Sequence, residues 1–199
     1  TIPSCYLHWM ASFSEKPLWL NLEYLSAEDW VHGCHALPSP HPQLPLQKYF
    51  FFPGFTPQTG GLLREQGLID SLAMISATAE LQQQFWCGLG LADAMDYQQK
   101  ISLFAYSQAA IEPWLNQLAA AEQTTLLLVP QGQLATDLIQ LFSELKTGRL
   151  DKKSLSIRIL DFMPQPKYDQ LLACCDINFV RGEDSVIRAQ WAGKPFIWQ

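Results

Sequence analysis

Five consecutive residues, Arg-Gly-Glu-Asp-Ser at positions 181–185, place a cation, two carboxylates and a hydroxyl around a glycine. They follow an apolar run, 177–180, and overlap the start of a segment with helical periodicity, 184–193, so a strand gives way to a helix here. Gly182 permits close backbone approach to a ligand, and the free N–H groups of a helix N-terminus favour an anion such as a pyrophosphate. Ser185 adds a hydroxyl donor.

The side chains of this turn are assigned by their charge. Because a carboxylate repels a phosphate, Glu183 is assigned to the hydroxyl groups of a sugar or ribose. Arg181 can hold Glu183 in place or neutralise phosphate charge. Ordinary alternatives stay open: Asp184 or Ser185 can be a plain helix cap. Arg181 and Glu183 can equally form a surface ion pair.

Aromatic residues and a glutamine follow two other predicted strands. Phe104 and Tyr106 alternate at the end of the apolar run 101–106, which places both rings on one side of the sheet. The irregular segment after the apolar run 155–160 adds three candidates: Phe162, Gln165 and Tyr168. Stacking and amide hydrogen bonds suit a planar base, so these residues and the 181–185 turn indicate a nucleotide-sugar pocket. Either phenylalanine can also be a plain core residue.

Strands and helices alternate from residue 100 onward. The predicted strands are 101–106, 124–130, 155–160, 177–180 and 195–198, and the predicted helices are 110–122, 133–146, 168–175 and 184–193. This alternation predicts an α/β fold with a doubly wound parallel sheet. Ligands of such sheets bind at the carboxyl ends of the strands, and the candidate residues all follow predicted strand ends.

The first part of the chain has a different pattern. We predict strands at 17–25 and 47–55, a short helix at 27–37 capped by Ser26, and irregular structure in the proline-rich segment 37–46. Residues 62–86 have helical periodicity. The two glycines of the segment 59–65 could cradle an anion ahead of that helix, although a hinge or linker is the simpler interpretation.

Composition excludes several classes of protein. The 199 residues carry a formal charge of -6, which disfavours a general nucleic-acid binder but suits a basic protein partner. The five cysteines have no CxxC spacing, so we expect no disulfide framework, no zinc site and a reducing cytoplasm. His32, Cys34 and His35 lie close together, but no partners for a metal site are found.

Two further features concern the ends and the membrane. No apolar run has membrane-spanning length, so we expect no membrane association. The chain begins with Thr1 and closes on a predicted strand with no covering helix after it. We therefore expect it to be a piece of a longer protein.

Four blocks carry a family resemblance: 21–31, 48–65, 103–106 and 179–198. In order, and over essentially the whole chain, they resemble the bacterial protein-arginine rhamnosyltransferases that modify elongation factor P. The resemblance implies a GT-B glycosyltransferase with two Rossmann-like domains facing across a cleft. Such an enzyme transfers rhamnose from dTDP-β-L-rhamnose to one arginine of elongation factor P, inverting the anomeric configuration without a metal or other cofactor.

The resemblance also implies a domain plan and a donor site. Residues 1–61 would end the N-terminal, acceptor-side domain, 62–90 would form a linker helix region, and 91–199 would form most of the donor domain. The family's donor site maps onto Tyr106, Gln165, Arg181, Gly182, Glu183, Asp184 and Ser185. Phe104, Phe162 and Tyr168 would line the thymine and sugar region. Glu183 corresponds to the family's essential glutamate.

One family feature has no counterpart in this sequence. The family has an aspartate-bearing, glycine-containing loop near its N-terminus that supplies the general base, whereas the first aspartate here is Asp29, in a predicted helix. We therefore expect this chain to bind the donor weakly and not to turn over alone. Two other functions stay open: a non-catalytic nucleotide- or protein-binding module, and a transferase for another nucleotide sugar.

Overall fold

The structure is a computed structural model that describes residues 2–107 and 111–199. The chain divides into two compact units, Thr1–Glu65 and Gln66–Gln199. The first unit contains helix α1 (Ser4–Ser12) and strands β1 (Trp19–Leu22), β2 (Pro38–Pro40) and β3 (Gln47–Phe51), with a 3-10 helix at Asp29–Gly33. β3 lies in the middle of a three-stranded sheet, parallel to β1 and antiparallel to β2.

The first unit confirms the two predicted strands with narrower bounds and corrects two other predictions. The segment predicted as a capped helix forms only the short 3-10 helix, whose N-cap is Glu28 rather than Ser26. The hydroxyl of Ser26 instead accepts a hydrogen bond from the backbone N–H of Glu28, because serine readily bonds to backbone two residues away. The segment predicted as irregular contains β2, an edge strand where proline is tolerated.

A packed loop follows β3 and contains the glycines of the segment 59–65. The N–H of Gly60 donates to the carbonyl oxygen of Phe52 at 2.8 Å. A Cβ atom at Gly60 would lie 2.3 Å from Cζ of Phe51, so the ring of Phe51 occupies the space that a side chain would need. The next helix begins only at Leu68. The glycines therefore do not open a helix, and the helix N-terminus that the anion-binding interpretation required is absent from this loop.

Replacing Gly60 by alanine tests this packing. We expect Gly60→Ala to lower the free energy of unfolding of the first unit by about 1–3 kcal/mol, because the new methyl group overlaps the ring of Phe51. Gly33→Ala is the matched control, since a Cβ there meets no atom within 4 Å. Urea unfolding with hydrogen exchange at the Gly60 amide measures the difference. Equal stability of the two variants would contradict the packing.

Within its described residues, the second unit contains six α-helices and six strands, and a pair of helices is followed by strands and helices that mostly alternate. Its elements are α2 (Leu68–Ala77), α3 (Ala79–Gly88), β4 (Gln99–Leu103), α4 (Ile111–Ala120), β5 (Thr125–Pro130), α5 (Gln133–Leu141), β6 (Arg149–Lys152), β7 (Leu155–Leu160), α6 (Gln165–Cys174), β8 (Ile177–Val180), α7 (Gly182–Ala192) and β9 (Phe196–Trp198). Short 3-10 helices lie at Ala94–Asp96 and Ser143–Thr147.

The sheet of the second unit has the strand order β6-β7-β5-β4-β8-β9. All neighbours are parallel except the β6–β7 pair. Along β5, Leu126 and Leu128 pack with α2, α3 and α6, whereas Leu127 and Val129 pack with α4 and α5. Helices thus cover both faces, and the predicted Rossmann-like doubly wound sheet is confirmed.

Strand β6 was not expected from the sequence. It is joined to β7 by a two-residue turn in which Lys153 has a φ of +53°. Its residues are mostly charged and exposed, because an edge strand buries little apolar surface. The periodic signal that reveals buried strands is therefore missing from it.

Several predicted boundaries are corrected. The helical segment 62–86 is two helices, separated where Thr78 adopts an extended conformation. The strand at 101–106 ends at Leu103, so Phe104 and Tyr106 lie beyond it. The segment after β7 becomes helical at Gln165 rather than at Tyr168, because a proline in the first helical turn needs no backbone donor.

Three further observations concern the predicted domain boundaries, the cysteines and the membrane. Helices α2 and α3 pack within the second unit, with α2 against α6 and α7. The assignment of 1–61 and 91–199 to acceptor-side and donor domains stays a prediction. All five cysteines are free thiols. Across the described ranges, no helix is both long and apolar enough to cross a bilayer.

Candidate functional site

The predicted site residues gather where the strand order of the parallel sheet reverses. From β4 the chain moves outward through β5 and β7, then returns to place β8 and β9 on the other side of β4. Leu103 of β4 pairs with Phe179 of β8, and the N–H of Phe104 donates to the carbonyl oxygen of Phe179 at 3.0 Å. The residues that follow these two strands are therefore neighbours, at the position where open α/β sheets bind ligands.

The side chain of Arg181 contacts two aromatic rings from the end of β4. Its guanidinium carbon lies 4.5 Å from the ring centroid of Phe104 and 4.6 Å from that of Tyr106. Such cation–π contacts each contribute about 0.5–2 kcal/mol, depending on solvent exposure. The surface ion pair between Arg181 and Glu183 does not form. Among the described residues, the guanidinium of Arg181 has no carboxylate partner, so its charge is not neutralised.

Tyr168 of α6 extends this cluster. Its ring meets the ring of Phe104 edge to face, with centroids 6.0 Å apart and planes at 71°. Burial raises the pKa of the Tyr168 hydroxyl well above its ordinary value. This buried hydroxyl has no hydrogen-bond partner within residues 2–107 and 111–199. We call Phe104, Tyr106, Tyr168 and Arg181 the arginine–aromatic stack.

Helix α7 begins directly after Arg181. Gly182 has a φ of +69°, a conformation that favours glycine, and it is the first helical residue. The predicted capping by Asp184 or Ser185 is wrong, because this turn starts the helix earlier and places Arg181 at the N-cap. The buried hydroxyl of Ser185 instead accepts a hydrogen bond from the backbone N–H of Arg181 at 3.0 Å and donates to the Arg181 carbonyl oxygen.

Glu183 and Asp184 are exposed in the first turn of α7. The positive end of the helix dipole stabilises both carboxylates there. In the described part of the chain, neither carboxylate is hydrogen-bonded or ion-paired. Both are consequently available to a ligand.

Phe162 and Gln165 lie after β7, outside the arginine–aromatic stack. Phe162 is 89% exposed, so the core interpretation is wrong for this ring. It borders a cavity of about 220 Å³ together with Leu89 and Arg158. Gln165 is exposed at the first position of α6, and its Nε2 donates to Oδ1 of Asp169 at 3.0 Å. The structure thus brings the four residues of the arginine–aromatic stack together. Phe162 instead lies beside a separate cavity, and Gln165 is bonded to the buried carboxylate of Asp169.

The end of the chain contributes two contacts that the sequence did not indicate. The indole Nε1 of Trp198 donates to the carbonyl oxygen of Gly182 at 3.1 Å. The side-chain Oε1 of Gln199 accepts a hydrogen bond from the backbone N–H of Tyr106 at 2.6 Å. Because both bonds join a side chain to backbone far away in the sequence, no local spacing could have revealed them.

An apolar cavity of about 320 Å³ adjoins Tyr106 on the α4 side of the sheet. Trp114, Phe179 and Ile197 contribute to its lining. Its walls carry little polar surface and no charged side chain, so it does not suit a charged ligand.

His32, Cys34 and His35 belong to no group of potential metal ligands in the part of the chain that the structure describes. The described residues contain no cluster of three potential ligands among histidine, cysteine, aspartate and glutamate. His35 has a structural contact instead, because its Nδ1 accepts the backbone N–H of Phe52 at 3.2 Å.

Comparisons with a family model, with curated proteins and with solved structures all indicate the same family. The model of the Elongation-Factor P (EF-P) rhamnosyltransferase EarP family matches residues 1–199. A solved structure concerning the structural basis for EarP-mediated arginine glycosylation of translation elongation factor EF-P matches with a TM-score of 0.68 and 43% identity. That match covers 75% of this chain and 49% of the other.

Curated relatives carry the name protein-arginine rhamnosyltransferase. The relative from Pseudomonas putida is 48% identical over 200 residues, covering 99% of this chain and 52% of its own length. The relative from Pseudomonas aeruginosa is 46% identical, covering 99% and 53%. The relative from Shewanella oneidensis is 44% identical, covering 92% and 48%. This chain therefore spans about half the length of the curated relatives it matches.

Tyr168→Phe tests whether the buried hydroxyl is unsatisfied in the free protein. We expect this change to leave the free energy of unfolding unchanged or to raise it by about 1 kcal/mol, because it removes a buried polar group without a partner. Tyr106→Phe is the control, since that side chain is 52% exposed. Urea unfolding measures both variants. A clear loss of stability in Tyr168→Phe alone would show that the hydroxyl is already hydrogen-bonded.

Proposed function

Because the chain belongs to the EF-P rhamnosyltransferase EarP family, we propose that it forms the donor-binding part of a cytoplasmic, metal-independent inverting glycosyltransferase. The donor is dTDP-β-L-rhamnose, and the acceptor is an arginine side chain of elongation factor P. The matched relatives are named for the same class of transfer. The acidic chain, with a formal charge of -6, suits a basic acceptor surface.

The observation that carries this proposal is the position of Arg181. Its guanidinium contacts two aromatic rings at the switch point of the sheet, and no carboxylate among the described residues neutralises it. Stacking uses the faces of the guanidinium and leaves its in-plane N–H groups for hydrogen bonds. A planar cation with free donors, beside a helix N-terminus, suits the diphosphate of a nucleotide sugar.

The other residues take roles according to their chemistry. The backbone N–H groups at the start of α7 can donate hydrogen bonds to an anion, and Gly182 has no side chain that would block it. The exposed carboxylate of Glu183 accepts hydrogen bonds from sugar hydroxyls. Tyr168 offers a hydroxyl that has no described protein partner. The exposed ring of Phe162 can stack on the base.

The proposed reaction forms one bond and breaks one bond. A guanidinium nitrogen of the acceptor attacks C1 of rhamnose, and the bond between C1 and the diphosphate oxygen breaks, releasing dTDP. Arg181 and the α7 N-terminus stabilise the charge that develops on the departing diphosphate. The proton from the acceptor nitrogen passes to a general base, a role that none of the donor-site residues assigned here fills.

Donor binding is tested by calorimetry of the chain with dTDP-rhamnose and dTDP. We expect binding, and we expect Arg181→Met to weaken it about 10–100-fold, because that change removes charge-assisted hydrogen bonds while keeping an apolar stem. Arg149→Met is the matched control, since this exposed arginine lies on β6 at the far edge of the sheet. A folded chain that binds neither compound, or that binds UDP- or GDP-sugars better, would overturn the proposed donor.

Glu183→Gln tests catalysis. The transfer assay with elongation factor P is run on the full-length protein, because this chain spans about half the length of its relatives. We expect kcat to fall about 100-fold or more, while the affinity for dTDP changes little, since the carboxylate contacts the sugar and not the nucleotide. Glu144→Gln, at an exposed carboxylate outside the site, is the control. Retained activity in Glu183→Gln would remove this residue from the mechanism.

A further inference from the structure

Asp169 is a buried carboxylate on α6, directly after Tyr168 of the arginine–aromatic stack. The residue is 2% exposed and lies in α6. Its Oδ1 accepts a hydrogen bond from Nε2 of Gln165 at 3.0 Å, and its Oδ2 pairs with Nη1 of Arg188, in α7, at 3.2 Å. An aspartate is seldom buried so completely unless it is paired, because its charge loses hydration.

The guanidinium of Arg188 places a positive charge against this buried carboxylate. The side chains of Asp169 and Arg188 are 3% and 15% exposed, so their attraction is weakly screened by solvent. Arg188 also stacks on Trp191, with its guanidinium carbon 5.1 Å from the ring centroid. A buried pair of this kind is weak support for stability, because apolar residues of similar size often stabilise a protein equally well. The carboxylate of Asp169 also accepts the hydrogen bond from Gln165, and this contact gives it a second role.

The contact with Asp169 sets the orientation of the Gln165 amide. An ionised carboxylate only accepts hydrogen bonds, so the amide must turn its NH₂ group toward Asp169. The carbonyl oxygen of Gln165 then points away from Asp169. Without this contact, an exposed glutamine at a helix start would sample several rotamers and both amide orientations.

We propose that Asp169 is a positioning residue, which orients Gln165 so that its side-chain carbonyl oxygen accepts a hydrogen bond from the nucleotide. The ligand group is then a donor, a ribose hydroxyl or a ring N–H, rather than a phosphate oxygen. This inference rests on the proposed nucleotide-sugar function. It adds that Gln165 offers the ligand a hydrogen-bond acceptor rather than a donor. Asp169 contacts no ligand itself.

A double-mutant cycle separates positioning from general stability. Asp169→Leu combined with Arg188→Met removes both charges of the pair together, whereas a single change would leave the other charge without this partner. The affinity for dTDP is measured by calorimetry in four forms: the wild-type chain, Gln165→Ala, the double variant, and the double variant with Gln165→Ala. Thermal unfolding establishes that each form is folded.

We expect Gln165→Ala to weaken dTDP binding about tenfold in the wild-type chain, and less than about threefold in the double variant. The double variant itself should bind about five- to tenfold more weakly than wild type, because Gln165 is no longer oriented. Asp176→Asn is the control: it breaks the Lys100–Asp176 pair, which lies at the opposite end of β4 from the site, and should change dTDP affinity less than twofold. A merely structural role would not produce coupling with Gln165.

Full additivity of Gln165→Ala and the double variant would overturn the inference, as would an unchanged affinity in Gln165→Ala. If the double variant does not fold, Asp169→Asn takes its place in the same cycle. The new amide at position 169 can either donate to or accept from Gln165, so the Gln165 amide is no longer held in one orientation. Failure of the proposed function gives a different result: the folded wild-type chain would then bind no dTDP at all.

Discussion

The structure of the candidate site depends on the contact between the guanidinium of Arg181 and the rings of Phe104 and Tyr106. This contact connects the ends of β4 and β8, the two strands between which the direction of the sheet order reverses. Arg181 is also the N-cap residue of α7, so the exposed carboxylates of Glu183 and Asp184 follow it in the first turn. Stacking holds the plane of the guanidinium without using its N–H groups. The guanidinium of Arg181 is therefore held in position while its N–H groups remain available to a ligand.

The parallel sheet explains why such a contact can exist. Parallel strands end at the same edge, so residues that are distant in the sequence become neighbours after their strands end. Helices on both faces leave this edge as the place where loops and helix N-termini meet. Behind the edge, α6 and α7 pack against each other, and the Asp169–Arg188 pair is buried between them. Removing one partner of such a buried pair is costly, because the other charge then lacks that partner.

Particular elements show which sequence signals were sufficient. The strands at 155–160 and 177–180 were predicted with their correct bounds, because short apolar runs between turn residues are typical of buried parallel strands. Strand β6 was not predicted, because it is exposed and mostly charged and therefore has no apolar run. The predicted cap of α7 failed because Gly182 starts the helix earlier than the polar residues suggest. The predicted nucleotide-binding role of the turn at 181–185 remains a prediction, and the structure adds the availability of its charged groups.

The sequence by itself determined the α/β class, most strands and helices of the second unit, and the turn in which ligand-binding residue types are concentrated. These properties follow from apolar periodicity and from residues with local conformational preferences, which act over a few positions. Only the tertiary structure decided the partner of Arg181, the exposure of Phe162, and the burial of Asp169 against Arg188. The physical reason is that these contacts join elements far apart in the chain. Strand order and helix packing set their geometry, and neither is encoded in local spacing.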